Sequence, residues 1–144
     1  MTCPSPLRIA DDWEYANVVR STLARRGGVG VRTLDRLVRE MAANWESLQP
    51  GRDPEVDPAE RARFLGAWNE RRRVYSYTLL QELPYALRRA LQDHPDLEGV
   101  DYTLLVVDEY QDLNACDLEV IRLIGERGCS VIGAGADPCL RSRS

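Results

Sequence analysis

Residues Leu104-Leu105-Val106-Val107-Asp108-Glu109-Tyr110-Gln111-Asp112 set two adjacent carboxylates, with a third at Asp112, directly after a short apolar run. An apolar run of this length suits a strand buried on both faces of a parallel sheet. Side chains at the carboxyl edge of such a sheet are where α/β folds meet their ligands. Nucleotide hydrolysis asks for this kind of pair. One carboxylate holds Mg²⁺ or its water shell, and a second orients or deprotonates the attacking water. Asp108 and Glu109 suit those two roles, because the chain turns at a strand end and the side chains diverge toward the ligand. The same pair also fits a plainer part, opening a loop or capping the helix expected from about Ala115.

Other chemistries find little in the 144 residues. His94 is the single histidine and stands beside Pro95, a turn position. The four cysteines (Cys3, Cys116, Cys129, Cys139) include no Cys-x-x-Cys pair, so neither a common zinc site nor a disulfide framework is expected. All nineteen basic residues are arginine. A phosphate-binding loop of the Gly-x-x-x-x-Gly-Lys-Ser/Thr kind needs a lysine to reach the β- and γ-phosphates, and Schiff-base chemistry needs one too. This chain has none.

Positioning the acidic pair falls to a short α/β stretch. Thr103–Val107 and Cys129–Gly133 read as buried strands, and the helical run between them carries Leu118, Val120, Ile121, Leu123 and Ile124. Strand, helix and strand over this length predict one right-handed βαβ unit with parallel strands. Before residue 99 the pattern is helical. Asp11 and Asp12 can cap a first helix holding Trp13, Val18, Val19 and Leu23, ended by Arg25-Arg26-Gly27-Gly28. Thr33 can cap a second, with Leu34, Leu37, Val38, Met41, Trp45 and Leu48 on one face. Asp57 and Pro58 open a third, with Phe64, Leu65 and Trp68 inward and its arginines outward. A fourth is expected from about Tyr75 to Leu91, with Leu79, Leu80, Leu83, Leu87, Ala90 and Leu91 as its apolar face and Pro84 as a kink or as the start of a separate short helix. The expected domains are therefore 1–98, mainly helical, and 99–144, containing the acidic pair.

The net charge of −4 lies wholly in the last part: residues 1–100 carry fifteen arginines and fifteen acids, residues 101–144 four and eight. Global charge gives no case for nucleic-acid binding. Arg71-Arg72-Arg73 gives a local one, with a solvated helix end as the plain alternative. No apolar run reaches the roughly eighteen residues of a membrane span, and the N-terminus is no signal peptide, so a cytoplasmic location is expected.

Asp108-Glu109-Tyr110-Gln111-Asp112-Leu113-Asn114, after Val106-Val107, closely resembles motif II of superfamily 1 DNA helicases of the UvrD, Rep and PcrA type. Val131-Ile132-Gly133 resembles the approach to motif III, and Tyr75–Leu80 the segment that precedes motif II. The resemblance implies part of a RecA-like P-loop NTPase domain preceded by an inserted helical subdomain. It implies Mg²⁺ on Asp108, water activation by Glu109, and coupling of the nucleotide site to neighbouring motifs through Gln111 and Asp112. It also implies ATP as cofactor and single-stranded or forked DNA as partner, for whose backbone Arg71, Arg72 and Arg73 are the local charge candidates. The parent activity would be ATP hydrolysis coupled to translocation and duplex unwinding.

Departures from that pattern are equally plain. Motif I has no counterpart, and neither do the second RecA-like domain and its arginine finger. After Gly133 the chain reads Ala134-Gly135-Ala136-Asp137-Pro138-Cys139-Leu140-Arg141-Ser142-Arg143-Ser144 in place of the family's glutamine and tyrosine, with only Asp137 as a loose match. The expectation is a chain that does not hydrolyse ATP alone, and a frameshift or gene truncation near codons 136–138. Two rivals stay open: a non-catalytic interaction module derived from a helicase, and a metal-dependent phosphohydrolase using Asp108, Glu109 and Asp112.

Overall fold

The computed structural model describes residues 8–135, and in it the chain is a mixture of helix and strand with two small parallel sheets. It forms two compact units: residues 8–45 with 49–83, and residues 84–135 with 46–48. Asp137 and the residues where the frameshift is expected lie outside the described residues. No helix among the described residues is long and apolar enough to cross a membrane.

The first unit begins with strand β1 (Arg8–Ala10). A continuous helical stretch follows: α1 (Asp12–Glu14), a wider π turn over Tyr15–Val19, and α2 (Arg20–Gly27). The Asp11 carboxylate caps it, accepting from Glu14 N at 2.7 Å. Val19 and Leu23 point inward as expected, whereas Trp13 and Val18 are exposed. Gly28, in the left-handed conformation, ends the helix. Helix α3 (Val31–Ser47) starts two residues before Thr33, with Leu34 N donating to the Gly30 carbonyl. Thr33 therefore sits inside the helix instead of capping it. Leu34, Leu37, Val38 and Trp45 form its buried stripe.

Helix α4 (Pro58–Tyr75) opens as its sequence predicts, with the Asp57 carboxylate accepting from Glu60 N and Pro58 in the first turn. Phe64 and Trp68 are buried, but Leu65 is exposed. Trp68 is the hub of the aromatic core, with ring centroids 6.3 Å from Trp45, 6.1 Å from Phe64 and 6.0 Å from Tyr77.

The expected fourth helix is broken. Ser76 turns left-handed after α4, and Tyr77–Leu79 forms strand β2, parallel to β1 with Ala10 opposite Leu79. Tyr77, Thr78 and Leu79 are all buried, so pairing and burial outweigh the helical spacing of the leucines. A short 3₁₀ turn (Leu80–Glu82) leads to α5 (Leu83–Asp93), with Pro84 in its first turn. Leu80 and Leu87, expected on the apolar face, are exposed.

A second cluster is built around Leu91, Val120, Ile124 and Cys129, with Leu97, Val100, Leu105 and Leu123 against it. Strand β3 (Leu104–Val107) and β4 (Ser130–Gly133) flank helix α6 (Ala115–Gly125), and the strands pair in parallel, Leu104 opposite Ser130 and Val107 opposite Gly133. The expected strand–helix–strand order is thus present. Burial on both faces is not: Leu105 and Val107 are half-buried, while Leu104, Val106, Val131 and Ile132 are exposed. Arg127 binds the end of α5 to this layer by donating to the carbonyls of Leu91 (3.2 Å), His94 (2.8 Å) and Leu97 (3.3 Å).

The ion pair between Glu40 and Arg61 clips the loop after α3 in place. Arg61 meets both Glu40 oxygens (2.9 and 2.8 Å) and the Asp53 carbonyl (2.9 Å), and Asp53 N donates back to Glu40 at 2.7 Å. The hydrogen bond from Arg61 holds the Glu40 carboxyl below its ordinary range, as Arg20 does for Asp35. A depressed carboxyl contributes stability above its unfolded pKa and loses it as pH falls through the folded value. Glu40→Gln is therefore expected to cost about 1–2 kcal/mol at neutral pH, with the deficit shrinking as pH drops below about 4. Trp13, Trp45 and Trp68 all lie in the first unit, so denaturation followed by tryptophan fluorescence at several pH values reads it alone. A deficit independent of pH would contradict the account.

Candidate functional site

The acidic pair stands where β3 ends. Asp108 follows Val107 directly, and its Oδ1 accepts from Glu109 N at 2.9 Å, which turns the carboxylate back over the chain. Glu109 takes the left-handed conformation, with φ of 48°, and the chain then enters a 3₁₀ turn over Tyr110–Asp112. A non-glycine residue in that region carries a strain of about 1–2 kcal/mol, held only if the surroundings fix it. They do so from the far strand. Ala134 N donates to the Val107 carbonyl at 2.7 Å, and the Ala134 carbonyl accepts from Tyr110 N at 3.0 Å. The β3–β4 ladder is thereby extended past the acidic residues, and the turn is tied on both sides.

Two glycines make the close approach fit. A Cβ on Gly133 would lie 3.2 Å from the Tyr110 ring, and one on Gly135 would collide with Gln111 Oε1 and lie 3.3 Å from Tyr110 N. The Gln111 amide in turn donates to the Glu109 carboxylate. Asp108, Glu109 and Gln111 are thus brought into one exposed turn, with Asp112 at the end of the same 3₁₀ segment. None of the carboxylates caps α6. That part is taken by Asn114, which accepts from Asp117 N at 3.0 Å while Asp117 accepts from Asn114 N at 3.3 Å. The plainer reading of the pair as a helix cap is removed, and the side chains of Asp108 and Glu109 remain at the surface.

The arginine triplet does not act as one surface. Arg71 is buried, its guanidinium 5.7 Å from the centre of the Tyr77 ring. Burial pushes the Tyr77 hydroxyl up to about 12, with Arg71 opposing the shift. Arg72 pairs with buried Glu82, whose other oxygen accepts from Thr78 at 2.8 Å. Only Arg73 is exposed. The expected outward row of three is corrected to one, because Arg71 turns onto Tyr77 of the buried strand and Arg72 onto Glu82 of the turn after it.

Mg²⁺ in nucleotide sites keeps several waters and takes one or two carboxylates together with the phosphates of its ligand. The acidic turn suits the carboxylate share of that arrangement. Among the described residues no group of three or more His, Cys, Asp or Glu converges as a metal site, and no lysine exists to grip phosphate. The residues present do not fit a triphosphate by themselves. No family model, curated protein or solved structure matches the chain.

The strain at Glu109 is open to measurement. Glu109→Ala and Glu109→Gly both remove the carboxylate, but only glycine occupies the left-handed region without penalty. The glycine variant is expected to be the more stable of the two by about 1 kcal/mol. Hydrogen exchange of the β3 and β4 amides reads the difference; equal protection in both variants would mean that the turn is not strained.

Proposed function

We propose that this chain is a portion of a UvrD-like, ATP-dependent DNA helicase that carries motif II and does not hydrolyse ATP by itself. The observation that carries the reading is the exposed Asp108–Glu109 pair at the carboxyl end of a strand paired in parallel with β4, with the turn tied through Ala134. In the parent enzyme, working in the cytoplasm, Asp108 would hold Mg²⁺ and Glu109 would hold the attacking water. Mg²⁺ supplies charge neutralisation on the transferring phosphate. Gln111, bonded to Glu109, would connect that water to the following motif. Arg73, the exposed member of its triplet, is the one suited to a DNA phosphate.

The bare side of the small sheet supports the same reading. Leu104 and Val106 are 52% and 64% exposed on one face of β3, and parallel strands seldom stand with an open apolar face. A RecA-like domain has a larger sheet with helices on both faces, which would cover them. In the chain alone they are an aggregation hazard. Replacing both with threonine is expected to raise the solubility of the chain several-fold while leaving its helical dichroism unchanged. Unaltered solubility would count against the open face as the cause.

The reading is tested on nucleotide and on the gene. Calorimetry is expected to detect no MgATP binding at micromolar concentrations, since the phosphate grip is missing. DNA flanking the reading frame is expected to encode a Gly-x-x-x-x-Gly-Lys-Ser/Thr loop upstream, and the rest of motif III downstream in one of the three frames. Micromolar MgATP binding lost in Asp108→Ala would overturn the inactivity. Flanks free of helicase sequence in every frame would overturn the helicase reading and leave the interaction module.

A further inference from the structure

The first unit holds a cavity of about 270 Å³, remote in sequence from the acidic turn. It is lined by Ala10, by Tyr15, by Asp35, Val38, Arg39 and Ala42 of α3, and by the chain leaving β2 at Leu79, Leu80 and Gln81. Ala10 and Leu79 are the last paired residues of the parallel strands β1 and β2. The cavity therefore opens at the carboxyl ends of a parallel pair, the place where such strands leave room for a ligand. Tyr15 begins the π turn, and a single π turn inside a helix is a feature that recurs at functional sites.

Its charges are unequal. Both oxygens of Asp35 are taken by Arg20, through Nε at 2.8 Å and through the terminal nitrogen, so that carboxylate is already neutralised. Arg39 differs. Its Nε donates to the Asp35 carbonyl at 3.2 Å, which fixes the plane of the guanidinium within its own helix. Among the described residues nothing hydrogen-bonds its two terminal nitrogens, which form an open fork. The Tyr15 hydroxyl is kept protonated by burial and by Asp35, and so stays a neutral donor; Gln81 adds an amide at the exposed side. Val38, Ala42, Ala10 and Leu79 supply apolar wall.

We propose that this cavity binds a small organic monocarboxylate with a flat or branched apolar body, its carboxylate held end-on by Arg39. A single fork of two donors matches one carboxylate bidentately. A phosphate dianion would call for more than Arg39, the one cation among the described residues lining the wall. The volume admits on the order of a dozen non-hydrogen atoms at the density of a protein interior. An apolar body with a hydroxyl at its far end would also meet Tyr15. The proposal is independent of the helicase reading and involves none of its residues.

The test uses the full chain and four-hydroxyphenylacetate as probe, followed by amide chemical shifts. Binding with a Kd of about 1 mM or below is expected, given the few atoms in contact. The shifts should centre on Ala10, Tyr15, Arg39, Leu79 and Gln81. Arg39→Gln should weaken binding at least tenfold in a protein that still folds cooperatively, since Arg39 is exposed and forms no ion pair closer than 4 Å among the described residues. Ala42→Leu, which fills the cavity, should abolish binding in a folded protein. The uncharged analogue, 2-(4-hydroxyphenyl)ethanol, should bind at least tenfold more weakly, and inorganic phosphate should leave these amides unmoved. Equal binding of acid and alcohol, survival of binding in either folded variant, or shifts scattered over the surface arginines would overturn the proposal.

Discussion

Parallel pairing of very short strands is the constraint from which both units follow. Two parallel strands cannot be joined by a hairpin, so the chain must leave one end of the sheet and return to the other. Between β1 and β2 it does so through α1 to α4; between β3 and β4 it does so through α6 alone. Each return leaves the carboxyl ends of its strands as the place where loops diverge. The acidic turn stands at one such end and the cavity beside Tyr15 at the other. A three- or four-residue strand contributes few ladder bonds, so its place depends on what is packed on it. For β2 that is the ring cluster around Trp68; for β3 and β4 it is the apolar layer of Leu91, Val120, Ile124 and Cys129.

Much of this was legible in the sequence where one physical signal stood alone. Asp57 before Pro58, the apolar stripe of α3, and the strand–helix–strand order around residue 115 were legible because capping, helical period and β-branched runs are local. Strand β2 was hidden for the opposite reason. Leu79, Leu80, Leu83 and Leu87 continue a helical spacing, and only the distant partner β1 and the burial of Thr78 beside Glu82 reveal an extended strand. The fold also turns Arg71 and Arg72 inward, because strand β2 brings Tyr77, and the 3₁₀ turn after it Glu82, against them.

At the acidic turn the residue types were legible and the support was not. An Asp-Glu pair after valines announces itself in one dimension. That Ala134 ties the turn from the neighbouring strand, and that Gly133 and Gly135 leave space for Tyr110 and Gln111, depends on register. Register is set by side-chain packing across the ladder, which no single segment encodes. The Asn114–Asp117 capping box was within reach of sequence reading, since Asn-x-x-Asp ahead of an apolar helix carries that signal, and it removes helix capping as a reason for the Asp-Glu pair.

A chain whose cations are all arginine also builds its fold differently from one that mixes in lysine. The guanidinium is planar and offers five donors, so it can hold a carboxylate and a carbonyl together, as Arg61 does with Glu40 and Asp53. It can also gather several carbonyls at a helix end, as Arg127 does. Arg122 goes further, spanning Glu119 and Glu126 on its own helix, and its charge is matched twice over. Arginines used in this way are unavailable for ligands, so a net count of cations says little about anion binding. What matters is which forks still present an open edge, and in what surroundings. Arg73 does so at an exposed helix end, where water competes for every donor. Arg39 is exposed too, but it stands on a concave wall with Val38, Ala42 and Leu79 beside it. The difference between those two surroundings, not the number of arginines, is what the two proposals rest on.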